Sequence, residues 1–363
     1  MTKRHYLLIG LAAVFLTAAI GVVQISQKVE ELIVDQGAAG AYLAARQATR
    51  LNDAKAAGDY WARALEARPG DSELLQAAMQ AKILAGAFDE GLAFARRLIT
   101  VVPQSQQAHI LLAVAAFKQK QFDVALEHID EMGTGPLSSV LAPNMKIWIA
   151  LAQDDQKMGA RAVKRLTGAS MFAGVPLVQA ARVLEINGNH EAAAKHYTNA
   201  VRSGAARYLY FVLSYGAFLE RQDEADKAAK LYEFYHRSHL YHAHVGAAQE
   251  RLKAGDKPPI EAAPTAALAE AFSALGEAMR GEERVDLALG YLRLAQHLDE
   301  DNELIAFAVA ELLGQRERFV AAAEQFAAID NDALLYDDAQ IQRSQMLFEA
   351  GASEAAISVL NKQ

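Results

Sequence analysis

Two patterns organise the apolar residues of this chain. The first is an unbroken run from Tyr6 to Val23, preceded by Lys3, Arg4 and His5. The second is a recurrence. Ala57, Gly91 and Ala125 each open a stretch that places a larger or apolar residue four positions on, at Trp61, Ala95 and Ile129. Their numbers rise by 34, and the next steps reach Gly159 and then Ala193, followed by Tyr197. One extra residue leads to Ala228 with Tyr232. After an insertion the series resumes at Ala288 with Leu292, Ala322 with Phe326 and Ala356 with Leu360.

A spacing of about 34 residues suits two antiparallel helices and two short turns. The tiny residue marks where the helices of a hairpin cross closely. The larger residue one turn along the same face fills the gap to the next hairpin. Turn-forming stretches sit where this scheme needs them, at 86–89, 187–190 and 350–353, each before a second helix. Pro69 and Pro103 follow Ala57 and Gly91 at the closing turns.

These positions resemble the tetratricopeptide-repeat superfamily. The best-matching unit is Phe272, Leu275, Gly276, Met279, Ala288, Leu292 and Ala295, followed by Ala310, Phe319, Ala322 and Phe326; Gly216, Leu219, Ala228 and Tyr232 form another. The resemblance covers Ala38 to the C-terminus. It implies an all-α solenoid, a right-handed superhelix of about nine helical hairpins. It says little of function, because the shared residues pack hairpins together.

The division expected is a signal peptide or membrane anchor at 1–23 and a helical linker at 24–37. A first array of six units plus an extra helix follows at 38–254, then a proline-rich linker at 255–264 and three units at 265–363. Gly133, Gly135, Pro136 and Pro143 crowd the start of the fourth unit, so a distorted hairpin is expected there. The ninth unit stops inside its second helix. An uncapped last face implies either a bound partner or a longer array.

The apolar run 6–23 supports two readings. As a signal peptide its core is Tyr6–Leu16, with Thr17 and Ala19 before the cut. As an anchor its 18 residues span roughly 27 Å at ~1.5 Å per residue, close to the hydrocarbon thickness. In both, the basic flank stays inside and the rest of the chain faces out. A bacterial inner-membrane protein facing the periplasm, or a periplasmic one, is the expected localisation.

Composition narrows the partner. There are 36 basic and 44 acidic residues, a net charge of −8. Such a surface repels a phosphate backbone, so no nucleic acid is expected. Cysteine is absent, which removes disulfides, thiolate zinc sites and a cysteine nucleophile.

Catalytic patterns fail on spacing. His190-Glu191 with His196 is two residues too long for two histidines on one helix face. The stretch 168–172 lacks the closing glycine of a nucleophile elbow. No enzyme activity and no cofactor are expected. One histidine cluster, His236, His239, His242 and His244, has spacings that suit a divalent metal or a pH switch. Against that, His236 and His239 close a helix whose dipole favours a cation, and His242 and His244 lie across a turn.

In this repeat family the first helix of each unit lines the concave face. The register places Tyr42, Arg46, Glu73, Ile110, Phe117, Val178, Arg182, Tyr210, Leu213, Glu270, Glu277, Phe307, Glu311, Ile341 and Phe348 there. Mixed charge with scattered aromatics suits an extended or helical peptide. The function expected is a membrane-associated extracytoplasmic scaffold for protein–protein contacts in a bacterial envelope assembly. The alternatives are an accessory that handles an envelope glycan or lipid, or the noncatalytic part of a longer envelope protein.

Overall fold

A computed structural model describes residues 37–361, apart from 136–137, 169–173, 239–241, 261–262 and 281–283. The apolar run at 6–23 and nearly all of the 24–37 segment lie outside the described residues, as does the membrane reading that rests on them. Among the described residues no helix is long and apolar enough to cross a membrane.

All regular structure among the described residues is helical. Helix α1 (37–50) precedes α2 (Ala54–Ala64). Pairs then follow: α3 (Ser72–Leu84) with α4 (Phe88–Val101), α5 (Gln106–Lys118) with α6 (Phe122–Glu131), and α7 (Ser138–Ala152) with α8 (Gln156–Thr167). Next come α9 (Gly174–Ile186) with α10 (His190–Arg202) and α11 (Leu209–Arg221) with α12 (Ala225–Ser238). Helix α13 (Ala243–Ala254) stands alone. The last pairs are α14 (Pro264–Arg280) with α15 (Val285–Leu298), α16 (Glu303–Gln315) with α17 (Phe319–Ala327), and α18 (Tyr336–Glu349) with α19 (Ser353–Leu360). Each pair packs as a hairpin. The fold is a tetratricopeptide-like repeat solenoid.

Eight of the hairpins share one turn. Asn52, Gly86, Lys120, Asp154, Gly188, Asp223, Glu317 and Gly351 end the first helices, all with φ between 54° and 82°. The next amide reaches back to a carbonyl five residues earlier, as from Ala87 to Lys82, Gln121 to Ala116 and Arg318 to Leu313, each at 2.9 Å. This left-handed closure satisfies carbonyls that a helix end leaves bare. Where the residue carries a Cβ the conformation is strained. Lys120→Gly is therefore expected to stabilise the fold by roughly 0.5 kcal/mol, after the added chain entropy is deducted. Urea unfolding measures this, and an unchanged or lower midpoint would contradict it.

The recurring small residues lie at the helix crossings. Ala57, Ala125, Ala193, Ala228, Ala288 and Ala322 are buried, and so are Trp61, Tyr197, Tyr232 and Phe326 four positions on. A Cβ on Gly91 would come within 2.7 Å of Ile83. Around Gly159, α7 and α8 pair as their neighbours do, although Pro143 sits inside α7. Asn144, next to it, donates from Nδ2 to the Val140 carbonyl at 2.9 Å.

The solenoid closes on itself. Helix α14 packs against α7 and α9, and α15 packs against α3 and α5. One apolar core runs from Ala41 to Val183 and includes Ala267–Ala322. Polar contacts stitch the seam. Arg293 donates from Nε to the Leu84 carbonyl at 3.3 Å, and Arg318 pairs with Asp53 at 3.1 Å. Arg316 bonds Asn52 and pairs with Asp286, and Lys118 pairs with Glu300. The Phe88 and His297 rings stack at 3.4 Å. Burial, helped by Lys118, pulls His297 down to about 4, so this ring is neutral at the seam. Residues 256–260 have no regular structure. They are pinned to α11 and the turn after it by Arg221, which donates to the Pro259 carbonyl at 3.1 Å, and by Lys257, which pairs with Asp223 at 2.5 Å.

Candidate functional site

Because α14 and α15 occupy part of the inner surface, the concave side is reduced to cavities. The larger, about 550 Å³, lies between α9 and α11 on one wall and α14 and α16 on the other. Tyr235 of α12, His242 and Pro259 close its ends. Its volume is in the range of ordinary ligand sites.

The geometry starts from a column of inner-helix residues. Trp148, Gln179 and Tyr210 occupy equivalent places on α7, α9 and α11, each 31 residues from the next. Trp148 donates from Nε1 to Gln179 Oε1 at 2.9 Å, and Gln179 donates from Nε2 to the Tyr210 hydroxyl at 2.9 Å. Arg182 donates to the same hydroxyl at 2.5 Å and pairs with Glu270 of α14. Its guanidinium also lies 5.4 Å from the Trp148 ring centre. Burial opposes the Arg182 charge, but Tyr210 and Glu270 more than offset it and hold the guanidinium charged.

Two more ion pairs stand on the walls. Arg221 grips buried Glu185 with both arms, at 2.7 and 2.9 Å. Arg280 donates to Glu311 at 3.0 Å and to the Ala308 carbonyl at 3.2 Å. The Arg221–Glu185 pair is expensive to break, because Glu185 would stay buried without a partner. Behind the cavity, Glu220 accepts from Tyr232 at 2.5 Å and from Arg251 at 2.9 and 3.0 Å.

Glu277 differs from the other carboxylates. Among the described residues it makes no hydrogen bond or ion pair, and Arg280 nearby is engaged with Glu311. Burial pushes its carboxyl up to about 7, Arg280 pulls it down, and Glu311 adds to the rise. Tyr235 opposite is pushed up to about 12 by burial and by Glu277. A raised carboxyl favours the fold when protonated, and this favour is lost as pH rises from the ordinary 4.5 through about 7. Glu277→Gln, which stays neutral, should therefore leave stability unchanged below pH ~4.5 and raise it by up to about 3 kcal/mol above pH ~7, less where solvent reaches the half-buried carboxyl. Chemical unfolding across that range measures the difference, and a flat difference would contradict it.

Seven of the residues the register placed on the concave face line this cavity: Arg182, Tyr210, Leu213, Glu270, Glu277, Phe307 and Glu311. Ile110, Phe117 and Val178 are buried in the packed interior. Ile110 borders a second cavity of about 470 Å³, which is walled by Trp61, Ile83, Leu289 and Leu294. A partner has no access to Phe117 or Val178 in this conformation. Tyr42 is half-buried, edge-on to Trp61 at 5.4 Å, with Arg46 5.9 Å above its ring. Glu73 is exposed at the start of α3, where its amide donates to the capping Asp71. Ile341 and Phe348 are exposed on α18.

The histidines divide. His236 lies in the last turn of α12, His242 caps α13, and His239 lies outside the described residues. His244 meets Glu303 at 2.9 Å. The His242 and His244 rings are 5.8 Å apart, and burial with His244 brings His242 down to about 4. Among the described residues no group of three or more possible ligands is placed to hold a metal. The register missed Trp148, Gln179, Glu185, Arg221, Tyr235 and Arg280. The 31-residue spacing of Trp148, Gln179 and Tyr210 was the signal for the column.

No protein-family model matches the chain, and no curated protein matches it. Among solved structures, the chain is similar to the P58(IPK) TPR domain, with 10% identity over 89% of this chain and 91% of that one, at a TM-score of 0.26. It is also similar to yeast Tom70, with 12% identity over 91% and 85% of the two chains, at a TM-score of 0.31. Against the Cut9–Hcn1 complex the identity is 17%, over 79% of this chain and 58% of that one, with a TM-score of 0.33. The repeat assignment rests on the hairpins themselves.

Proposed function

We propose that this chain is a noncatalytic scaffold that binds a polypeptide segment in the cavity between α9, α11, α14 and α16. One observation carries the reading. Seven inner-helix residues that the repeat register points inward converge on a single cavity, and its walls mix aliphatic, aromatic and ion-paired side chains. Polypeptides present that same mixture, whereas a sugar polymer calls for stacked exposed aromatics. The Glu311 side chain is 40% exposed, so solvent reaches the site. The scaffold we propose sits at the outer face of a bacterial inner membrane, or free in the periplasm. The support is the basic flank and apolar run at 3–23, with acidic residues after it.

Site-specific photocrosslinking in cells tests both halves. A photoreactive residue at Leu213 or Phe307 is expected to trap a discrete polypeptide. The same group at Val320, which is exposed on α17, should not. Equal labelling from all three positions, or none from the cavity, would contradict the proposal. Protease added to intact spheroplasts should digest the repeat region, and full protection would contradict the placement.

A further inference from the structure

The charges of the large cavity do not balance. Three arginines and four glutamates line it. Arg182 is committed to Glu270, Arg221 to Glu185, and Arg280 to Glu311. Glu277 is left without an ion pair among the described residues, although Arg280, whose Nε has no hydrogen-bond partner, acts on it from one turn away. It lines the cavity from α14, one turn before Arg280, and is in electrostatic reach of Glu311 of α16 and Tyr235 of α12. The other titratable side chains around the cavity are Tyr197, Tyr210 and His242, and none supplies a cation near neutral pH.

We infer that the cavity receives a lysine or arginine side chain of the partner polypeptide, with Glu277 as its counter-charge. This rests on the polypeptide reading above and names the chemistry it selects. A half-buried carboxylate with no ion pair among the described residues is unfavourable, and a ligand cation relieves that in a way no apolar side chain can. Leu213, Leu292, Leu304 and Phe307 border the same space and suit the methylene stem of a basic side chain. Phe307 and Tyr235 put aromatic rings on the border of the same space, where a cation is attracted. An acidic segment would meet Glu277 and Glu311 together and be repelled. The selectivity is therefore for a basic residue among apolar neighbours. It strengthens with pH as Glu277 ionises.

The test is selection from a phage-displayed library of random heptapeptides on the full chain held in detergent, at pH 8. The expected result is enrichment of peptides with Lys or Arg at one position flanked by apolar residues. Replacing that residue by norleucine should weaken binding to the wild type roughly tenfold, and binding to Glu277→Gln by less than twofold. Wild-type affinity for the basic peptide should fall between pH 8 and pH 6, and that of Glu277→Gln should not. The variant is a neutral near-isostere, and its folding is checked by its melting transition. If enriched peptides lack a basic position, or Glu277→Gln keeps the preference, the inference is overturned and polypeptide binding stands. If no peptide is enriched, both fail. If butylammonium displaces the peptides at equal concentration, the site is one for small amines and the inference is wrong.

Discussion

Replacing Gly216 with alanine is expected to destabilise the protein by about 2–3 kcal/mol, against the intrinsic preference of helices for alanine. The Cβ would fall 2.2–2.4 Å from ring and hydroxyl atoms of Tyr232. That ring is fully buried, and its hydroxyl is held at 2.5 Å by Glu220, itself gripped by Arg251. It has nowhere to withdraw without breaking a buried ion pair. Gly290 in α15 provides the contrast, because nothing lies within 4 Å of its Cβ position. Gly290→Ala should stabilise by roughly 0.5–1 kcal/mol. Urea unfolding of both variants reads the two signs. A neutral Gly216→Ala would mean that α11 and α12 do not cross as closely as the repeat requires.

Arg182→Met is expected to be at least as damaging, at about 2–4 kcal/mol. The substitution keeps the bulk of the chain but strands Glu270 and removes the charged donor to Tyr210. Glu270 keeps 27% of its side-chain exposure, which softens the loss. Adding Glu270→Gln should restore part of it, with a coupling above ~1 kcal/mol in the double-mutant cycle. Arg182 lies on α9 and Glu270 on α14, so that coupling also reports whether the C-terminal hairpins sit inside the first array. Additive effects would indicate that they do not.

The hairpins were legible because their cause is local. Helix crossings need a tiny side chain at a fixed phase, and Ala125, Ala193, Ala228, Ala288 and Ala322 are buried at that phase. The left-handed turn was only half visible. Gly86, Gly188 and Gly351 announce it, whereas Lys120 and Glu317 adopt it without any compositional cue. The closure was not read at all. An inward residue on a first helix is apolar whether it faces a ligand or the chain's own next array, so Phe117 and Val178 looked like partner contacts. The missed signal lay in α5, where every residue from Ala108 to Phe117 is buried. A helix apolar on all sides has no face left for solvent. Glu277 was placed on the concave face, but its lack of a partner depends on Arg280 reaching Glu311 on another helix, which spacing does not encode.

Helices α14 and α15 occupy part of the inner surface of the first array. Lys118 and Glu300 are 182 residues apart in sequence and form an ion pair across that seam. A zero-length carbodiimide joins only groups already in contact. Applied to the monomer, followed by peptide mass spectrometry, it should yield an amide linking Lys118 to Glu300. Crosslinks confined to sequence neighbours, with Lys118 and Glu300 each modified but never joined, would show an open array and contradict the account.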